Sequence, residues 1–416
     1  MKYYKIAYGL LVNRFLSALF VSIEIAALLI LANTVTATYN SKNLLLKPYR
    51  DILQSDGVVL DVSSLWEDEN DFDNTMQIIK TNCYGNITIH HTDTLSFWTP
   101  NGPNSTLYRE QGCSIEYFLI DDDIFSKFRM PLEEGRWASS EKTSDGEIEI
   151  VISQGTDAKL GQTYDTAVGK IKIVGILTEN TYRPPCSNNH RSDNENEYDS
   201  IFTYYEPFDA SVNLGGAFAI ADKKLFPKQS GENYNVSSGS IWFISFDNNL
   251  TPDQIKMNTD FLKTVGFIQE NENYHTLLSS SEKTINNIYL RMLPIIIAAA
   301  LVVLSGLIGT ISLLTLRNMK SFGIFFIYGC DWTKIIKIIS AYLSFIFAAT
   351  IIWFIIGMNV LNRVNLSYLI GMSYDNNNIY ISIVMVVILY ITAIIIPYSL
   401  IKATSPIETI KEGGNL

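Results

Sequence analysis

Long apolar stretches alternate with polar sequence along the chain, and their lengths predict which segments cross a membrane. An α-helix needs about 20 mainly apolar residues to span the hydrocarbon core of a bilayer. Four stretches pass this test, at about 15–35, 294–316, 338–360 and 379–401. The pattern therefore predicts four transmembrane helices. A cleaved signal peptide is the alternative for the first stretch, although its apolar run exceeds the length of about 7–15 residues usual in such peptides.

The polar sequence between the first two helices is long enough for one large domain or two small ones. Both of its ends show a strand pattern followed by a helical one, at 56–82 and 240–262. We therefore predict a membrane protein with four transmembrane α-helices and one large α+β extracytoplasmic domain inserted between helices 1 and 2. In that domain a split α/β part, at about 50–120 and 240–287, would enclose a β-rich inserted part at about 121–239.

Cations near the helix ends predict the orientation, because cytoplasmic loops carry an excess of Lys and Arg. Such cations precede the first helix, join the second to the third and follow the fourth: Lys2, Lys5, Arg14, Arg317, Lys320, Lys334, Lys337, Lys402 and Lys411. The outer loop at 361–378 has Arg363 as its one cation. We therefore expect a multi-pass protein of the cell membrane, with both termini cytoplasmic and residues 39–287 outside. The remaining segments would be 1–38 for the N-terminus and first helix, 288–316 for the second, 317–337 for a cytoplasmic segment, 338–360 for the third, 379–402 for the fourth and 403–416 for the tail.

The cytoplasmic segment at 317–337 is almost as apolar as a transmembrane helix but is too short to cross. Its large apolar side chains cannot all face water, so we expect them to contact lipid head groups or another protein: Phe322, Phe325, Phe326 and Ile327. Gly329 suits a helix C-cap, and Asp331 suits the N-cap of the next helix. The segment therefore predicts a short helix followed by a sharp turn, either as an ordinary interfacial helix or as a docking element for a partner.

The tail at 403–416 shows the pattern of a second small helix start. Ser405 has the position of an N-cap, Pro406 that of the first helical residue, and Glu408 that of the partner in a capping box. A frayed C-terminal tail is the alternative.

Two features inside the predicted membrane helices are candidates for a functional contact. Glu24 is an ionisable residue within the first helix, which by default indicates a functional site. A protonated or snorkelling side chain at a helix contact explains it equally well. Ser305 and Gly309 have small-xxx-small spacing, and together with Gly306 they would let two helices approach closely.

The charge and the motifs disfavour several functions. The chain has 42 acidic and 31 basic residues and a net charge of −11, which does not favour nucleic acid as a partner. The sequence has neither a G-x-x-x-x-G-K-[ST] phosphate-binding loop nor a G-x-S-x-G nucleophile elbow. We therefore expect no catalytic residue, cofactor or metal site in this chain. Cys83, Cys113 and Cys186 all lie in the outer segment, so one disulfide is possible, but the sequence does not choose the pair.

Short motifs in the outer segment resemble those of MacB/FtsX-like ABC transporter permeases, the type VII class. Leu132, Gly135 and Arg136 match the L-x-x-G-R segment of that family. Gly175 matches the turn glycine of its strand pair ending in V-V-G-V-L.

The cytoplasmic segments resemble the same family. Arg317, Gly323, Ile324 and Gly329 match its R-R-x-E-I-G-I-L-R-A-L-G-A segment, although Ser321 stands where the family usually has a glutamate. The tail matches the P-x-E-x-L-R ending at Pro406 and Glu408. The resemblance covers nearly the whole chain, because one N-terminal helix, a large outer domain and three C-terminal helices form the family's layout.

This resemblance implies a non-catalytic permease subunit whose ATP and Mg are bound by a separately encoded ABC ATPase. The residues implied in contact with that ATPase are Arg317, Lys320, Phe322, Gly323, Ile324, Phe325 and Gly329. The family implies a homodimer or a heterodimer with a similar permease, a porter-like part in the outer domain, and a membrane-fusion-type adaptor or another extracellular partner. Export of a drug, an antimicrobial peptide or a lipid-linked molecule is the function expected first. The alternative is an FtsX-like mechanotransmitting subunit that activates an extracellular wall hydrolase without transport, but the outer domain here has the size of the MacB one.

Overall fold

The computed structural model describes residues 2–62, 69–97, 115–154, 158–178, 181–186, 200–207, 217–231, 234–265, 272–363 and 376–403. These residues form nine α-helices: α1 (Lys2–Asn13), α2 (Phe15–Leu46), α3 (Arg50–Leu53), α4 (Glu69–Asn82), α5 (Asp122–Phe125), α6 (Pro252–Val265), α7 (Tyr274–Ile327), α8 (Trp332–Arg363) and α9 (Asn376–Ala403). Helices α2, α7, α8 and α9 contain stretches long and apolar enough to cross a membrane.

The described residues also form twelve strands: β1 (Gly57–Asp61), β2 (Ile87–Phe97), β3 (Glu116–Ile120), β4 (Leu132–Gly135), β5 (Ile148–Ile152), β6 (Thr163–Thr166), β7 (Gly169–Leu177), β8 (Tyr182–Arg183), β9 (Glu206–Pro207), β10 (Phe218–Asp222), β11 (Tyr234–Phe246) and β12 (Glu272–Asn273). Ten of them share one mixed sheet. Its main path runs β12-β1-β11-β2-β3-β10-β5-β7-β4, with β6 paired to β7. Strands β8 and β9 pair separately.

The chain divides into two compact units. Residues Tyr39–Asn287 form the α/β unit, and the described parts of α1, α8 and α9, together with the apolar parts of α2 and α7, form the helical unit. The predicted split part and inserted part of the outer segment share one sheet, in which β3 of the first part pairs in parallel with β10 of the second. The register pairs Phe218 with Glu116 at one end and Asp222 with Ile120 at the other, so the two strands end side by side.

Alternating side chains give the sheet two buried faces, as a period of two requires. In β11, Phe243 belongs to the core on one face, and Trp242 and Ile244 belong to the core on the other. Helix α6 starts with a capping box, in which Gln254 N donates to Thr251 Oγ1 and Thr251 N donates to Gln254 Oε1.

Helices α2 and α8 lie side by side and run in the same direction. Thr350 Oγ1 donates to Ser22 O at 3.3 Å, and further along both helices Gly357 meets Ile30. A Cβ on Gly357 would lie 2.4 Å from Ile30 Cδ1, so a larger residue there would require the end of the Ile30 side chain to move.

Helix α9 joins α2 through buried amides. Asn33 Nδ2 donates to Ser382 Oγ at 2.7 Å, and Asn378 Nδ2 donates to Asn33 O at 3.1 Å. Hydrogen bonds of this kind hold membrane helices together where apolar packing alone discriminates poorly between lipid and protein.

Our expectation of a separate short helix in 317–337 is wrong. Helix α7 continues without interruption from the apolar span through Ile327. The residues from Arg317 to Tyr328 include no proline, and Gly323 keeps its backbone N–H, so the i to i−4 hydrogen bonds continue until the chain approaches Gly329. The sharp turn after the helix is present.

Candidate functional site

The turn between α7 and α8 is built around Gly329. This residue has φ +82°, the left-handed conformation that glycine adopts at helix C-termini. Cys330 N donates to Phe325 O at 2.9 Å, and Lys334 Nζ donates to Gly329 O at 3.0 Å. Helix α8 then begins at Trp332, directly after Asp331. The chain therefore reverses within four residues.

The apolar residues at this turn divide into a covered set and an exposed set. Phe322 is 1% exposed and lies in the core of the helical unit, and Gly323 is also buried. Phe325 is partly buried against the same core. Our expectation that Phe322 faces a partner is therefore wrong, because the chain's own helices already cover it.

Among the described apolar side chains at the turn, three others are exposed to solvent. Ile324 is 44% exposed, Ile327 69% and Tyr328 84%. We call these three residues the turn patch. Arg317 is exposed on the preceding turns of α7, and the backbone of Lys320 belongs to the same helix. The turn patch is thus an apolar surface in a cationic setting, and it is a part of the predicted docking segment that a partner can reach.

Glu24 and Gly306, which the sequence singled out separately, meet between α2 and α7. A Cβ on Gly306 would lie 3.0 Å from Glu24 Oε2. By contrast, a Cβ on Gly309 would find no described atom within 4 Å, and the exposed Ser305 donates to Val302 O in its own helix. Of the three small residues, Gly306 alone lies at a close contact with another described helix.

The outer motif residues Gly135, Arg136 and Gly175 form one local structure. Gly135 pairs with Gly175 across β4 and β7, and Gly135 has φ +83°. A Cβ on Gly135 would lie 2.2 Å from Val174 O, and one on Gly175 would lie 2.5 Å from Arg136 O. The two strands can approach this closely only because both positions are glycine.

Arg136 binds a buried carboxylate beside this close contact between β4 and β7. Its guanidinium binds Glu149 through both Nη atoms, with 2.7 Å from Nη1 to Oε2, and Ser139 N also donates to Oε2 at 3.0 Å. Burial alone would raise the pKa of Glu149, but these hydrogen bonds outweigh it and lower the pKa. The sequence analysis did not identify Glu149. Because Arg136, directly after β4, binds Glu149 of β5, and Gly135 pairs with Gly175 of β7, the motif has a structural role in fixing β4 to β5 and β7.

A partly buried group of charges lies where the parallel strands β3 and β10 end beside β2. We call His91, Asp93, Asp121 and Lys223 the seam cluster. Lys223 Nζ lies 2.9 Å from Asp93 Oδ2 and 3.5 Å from Asp121 Oδ1. The same ammonium lies 2.9 Å from His91 Nε2, and that ring nitrogen lies 3.0 Å from Asp93 Oδ1. Charged groups from both parts of the sheet therefore meet at one point.

The contacts of the seam cluster converge on one ring nitrogen. His91 Nε2 lies within hydrogen-bond distance of both the Lys223 ammonium and Asp93 Oδ1, and its role as donor or acceptor depends on the histidine tautomer. Nδ1 is buried and has no hydrogen-bond partner among the described residues. Burial would raise the pKa of Asp93, but His91 and Lys223 outweigh it and lower the pKa. The neighbouring His90 is buried near Asp121, and its burial lowers its pKa.

The sequence analysis did not identify the seam cluster. The described residues contain no group of three His, Cys, Asp or Glu side chains that could hold a metal. The available signal was Asp93 on the same alternating face of β2 as Ile89 and Leu95, since carboxylates are rarely buried unless they are paired. Asp121 and Lys223 could not be assigned to it without the sheet topology.

The remaining predicted residues are described in part. Cys83, Cys186 and Cys330 are free thiols, while Cys113 lies outside the described residues. Burial raises the pKa of the Cys83 thiol to about 11 and that of Cys186 far above its ordinary value. The tail residues Ser405, Pro406 and Glu408 also lie outside the described part of the chain.

Comparison with known proteins gives structural neighbours only. No family model matches the chain, and no curated protein does. The periplasmic region of MacB from Actinobacillus actinomycetemcomitans matches with 11% identity and a TM-score of 0.25, over 58% of this chain and 98% of that one. The extracellular domain of the noncanonic ABC-type transporter YknZ from Gram-positive bacteria matches with 10% identity and a TM-score of 0.24, over 52% and 98%.

Proposed function

We propose that this chain is the permease subunit of a MacB/FtsX-like ABC transporter and works with a separately encoded ATPase. Three features support the proposal: the motif matches, the four apolar helices, and a large α/β unit that follows the first of them. The subunit itself is non-catalytic, and ATP and Mg are bound by the partner. Two such permeases, identical or similar, assemble together in the cell membrane.

The turn patch is the observation that carries the proposal. Ile324, Ile327 and Tyr328 are apolar and exposed at a tight turn, next to the cations Arg317 and Lys334. Such a surface contacts either lipid head groups or another protein. We assign it to a groove of the ATPase, with Ile327 and Tyr328 as the anchors, because large side chains that become buried dominate interface energies.

ATP hydrolysis in the partner then moves α7 through the turn patch, since α7 is one continuous helix from Tyr274 to Ile327. The movement drives the outer domain mechanically. The cargo we propose is a drug, an antimicrobial peptide or a lipid-linked molecule, expelled from the outer side with a membrane-fusion-type adaptor or another extracellular partner.

The test is co-purification of the chain with the ABC ATPase encoded in its gene neighbourhood. Replacing Ile327 and Tyr328 together with serine should weaken binding at least tenfold. A hot-spot side chain contributes about 2 kcal/mol or more, and about 1.4 kcal/mol corresponds to one decade in affinity. Ile78→Ser changes an equally apolar side chain on α4, half exposed in the α/β unit, and should leave binding unchanged. Full binding by the double variant would show that the turn patch contacts lipid instead.

A further inference from the structure

Helix α1 has more apolar surface than the helical unit covers. Ala7 is fully buried, and the side chains that pack with it against the core are Tyr3, Leu10 and Leu11. Tyr4, Tyr8 and Val12 each have more than half of their surface exposed. Their spacing of four residues places them in one stripe along the helix. This uncovered stripe is apolar and aromatic, and it was not among the elements expected from the sequence.

The stripe lies level with the start of the membrane-spanning part of α2. The rings of Tyr4 and Tyr8 meet the edge of Phe345 in α8, with centroids 6.2 and 6.3 Å apart. Since Thr350 of α8 is level with Ser22 of the parallel helix α2, Phe345 is level with the first turn of α2. This is the place where polar sequence gives way to the apolar span, and tyrosine is enriched at such membrane–water boundaries.

The charge of α1 complements an anionic surface. The helix contains two lysines, Lys2 and Lys5, and no carboxylate, and Arg14 follows it directly. Lys5 is exposed and shares its face with Gly9, which is also exposed. Each cation near a membrane surface favours anionic over neutral lipid by a factor of about five. A protein partner selected for this surface would need acidic groups, whereas anionic lipid head groups are already present beside a transmembrane helix.

We propose that α1 is a lipid anchor, in which Tyr4, Tyr8 and Val12 lie in the bilayer interface and Lys5 binds anionic lipid head groups. The apolar stripe buries its rings at the depth of the first turn of α2, and the phenol oxygens remain at the polar boundary. The lysine face stays toward the head groups and the water. This anchor does not depend on the assignment of the chain as an ABC permease.

The first test measures the depth of two neighbouring positions on α1. Spin labels are attached to Tyr8→Cys and, separately, to Gly9→Cys, in the full chain after Cys83, Cys113, Cys186 and Cys330 are replaced with alanine. Gly9 is exposed and a Cβ there would meet no described atom within 4 Å, so cysteine fits at this position without displacing a neighbour. In lipid bilayers, oxygen should relax the label at position 8 more strongly, and a water-soluble nickel reagent should relax the label at position 9 more strongly. Equal nickel accessibility at both positions would overturn the anchor.

The second test uses the chain with its native cysteines and asks about the lipid charge. Native mass spectrometry would count the phosphatidylglycerol and phosphatidylcholine molecules retained after extraction from mixed bilayers. Lys5→Gln should reduce the preference for phosphatidylglycerol about fivefold, and Lys5→Glu should reduce it further. Lys256→Gln, an exposed lysine on α6, should have no effect. An unchanged preference for phosphatidylglycerol in both Lys5 variants would overturn the anionic-lipid assignment. In the spin-label test, protection of position 8 from the nickel reagent that appears only when a protein partner is bound would also overturn it.

Discussion

Replacing Lys223 with methionine removes the cation that contacts two carboxylates of the seam cluster. The Asp93 side chain is 7% exposed and lies 2.9 Å from the Lys223 ammonium, so water cannot replace the lost partner. Removing one member of a buried ion pair costs about 3–5 kcal/mol. Because Lys223 and Asp121 keep some solvent contact, we expect the lower end, about 3 kcal/mol. For a unit of this size that corresponds to a fall of about 6–12 °C in melting temperature.

The assay is thermal unfolding of the full chain in detergent, followed by tryptophan fluorescence. Trp242 is buried beside His91, with ring centroids 5.8 Å apart, and therefore reports on this region. Lys256→Met is the control and should change stability by no more than about 0.5 kcal/mol. Adding Asp93→Asn to Lys223→Met removes the unpaired charge and should recover part of the loss. The reasoning is refuted if Lys223→Met melts like the unmodified chain, or if the double variant melts below the single one.

Three further predictions concern pH, the membrane contact and the outer motif. Burial lowers the pKa of His90 in the folded chain, so the unfolded chain takes up this proton first and stability should fall as the pH drops below about 6.5. Melting temperatures measured above and below this pH should show the loss of stability, and His90→Gln should remove the pH dependence. Gly306→Leu should lower the melting temperature and the yield of folded protein because it separates α2 from α7, whereas Gly309→Leu should change neither. Arg136→Met should destabilise the outer domain by about 1–3 kcal/mol in denaturant unfolding, since it leaves the buried Glu149 without its charge partner; an unchanged midpoint would contradict this.

The long helices could be predicted from the sequence because apolar runs of bilayer length are distinctive, but their ends could not. Helix α2 continues to Leu46 and α7 begins at Tyr274, both well outside the apolar runs. Leu277, Ser281 and Ile285 recur every four residues and are buried in the core of the α/β unit or beside it. Tertiary packing, which a hydropathy pattern does not contain, therefore extends these helices.

The candidate sites, too, could be predicted only in part from the sequence. The sequence identified Phe322 as a large apolar residue near cations, but it could not show that the chain's own helices cover it. The seam cluster draws on β2, the end of β3 and the residue after β10, and only the sheet register brings these together. Motif resemblance selected Gly135 and Gly175 separately. Their pairing across β4 and β7 follows only from the structure, and their close contact explains the need for glycine.

The most direct test of the proposed permease function is photocrosslinking from the turn patch in intact membranes. A photoreactive phenylalanine analogue at position 328 replaces the most exposed side chain at the turn, and the same analogue at position 78 on α4 is the control. We predict a crosslink from position 328, and not from position 78, to a separately encoded protein that mass spectrometry identifies as an ABC ATPase. Crosslinks from position 328 to lipid alone, with the ATPase present in the same membranes, would contradict the proposed coupling.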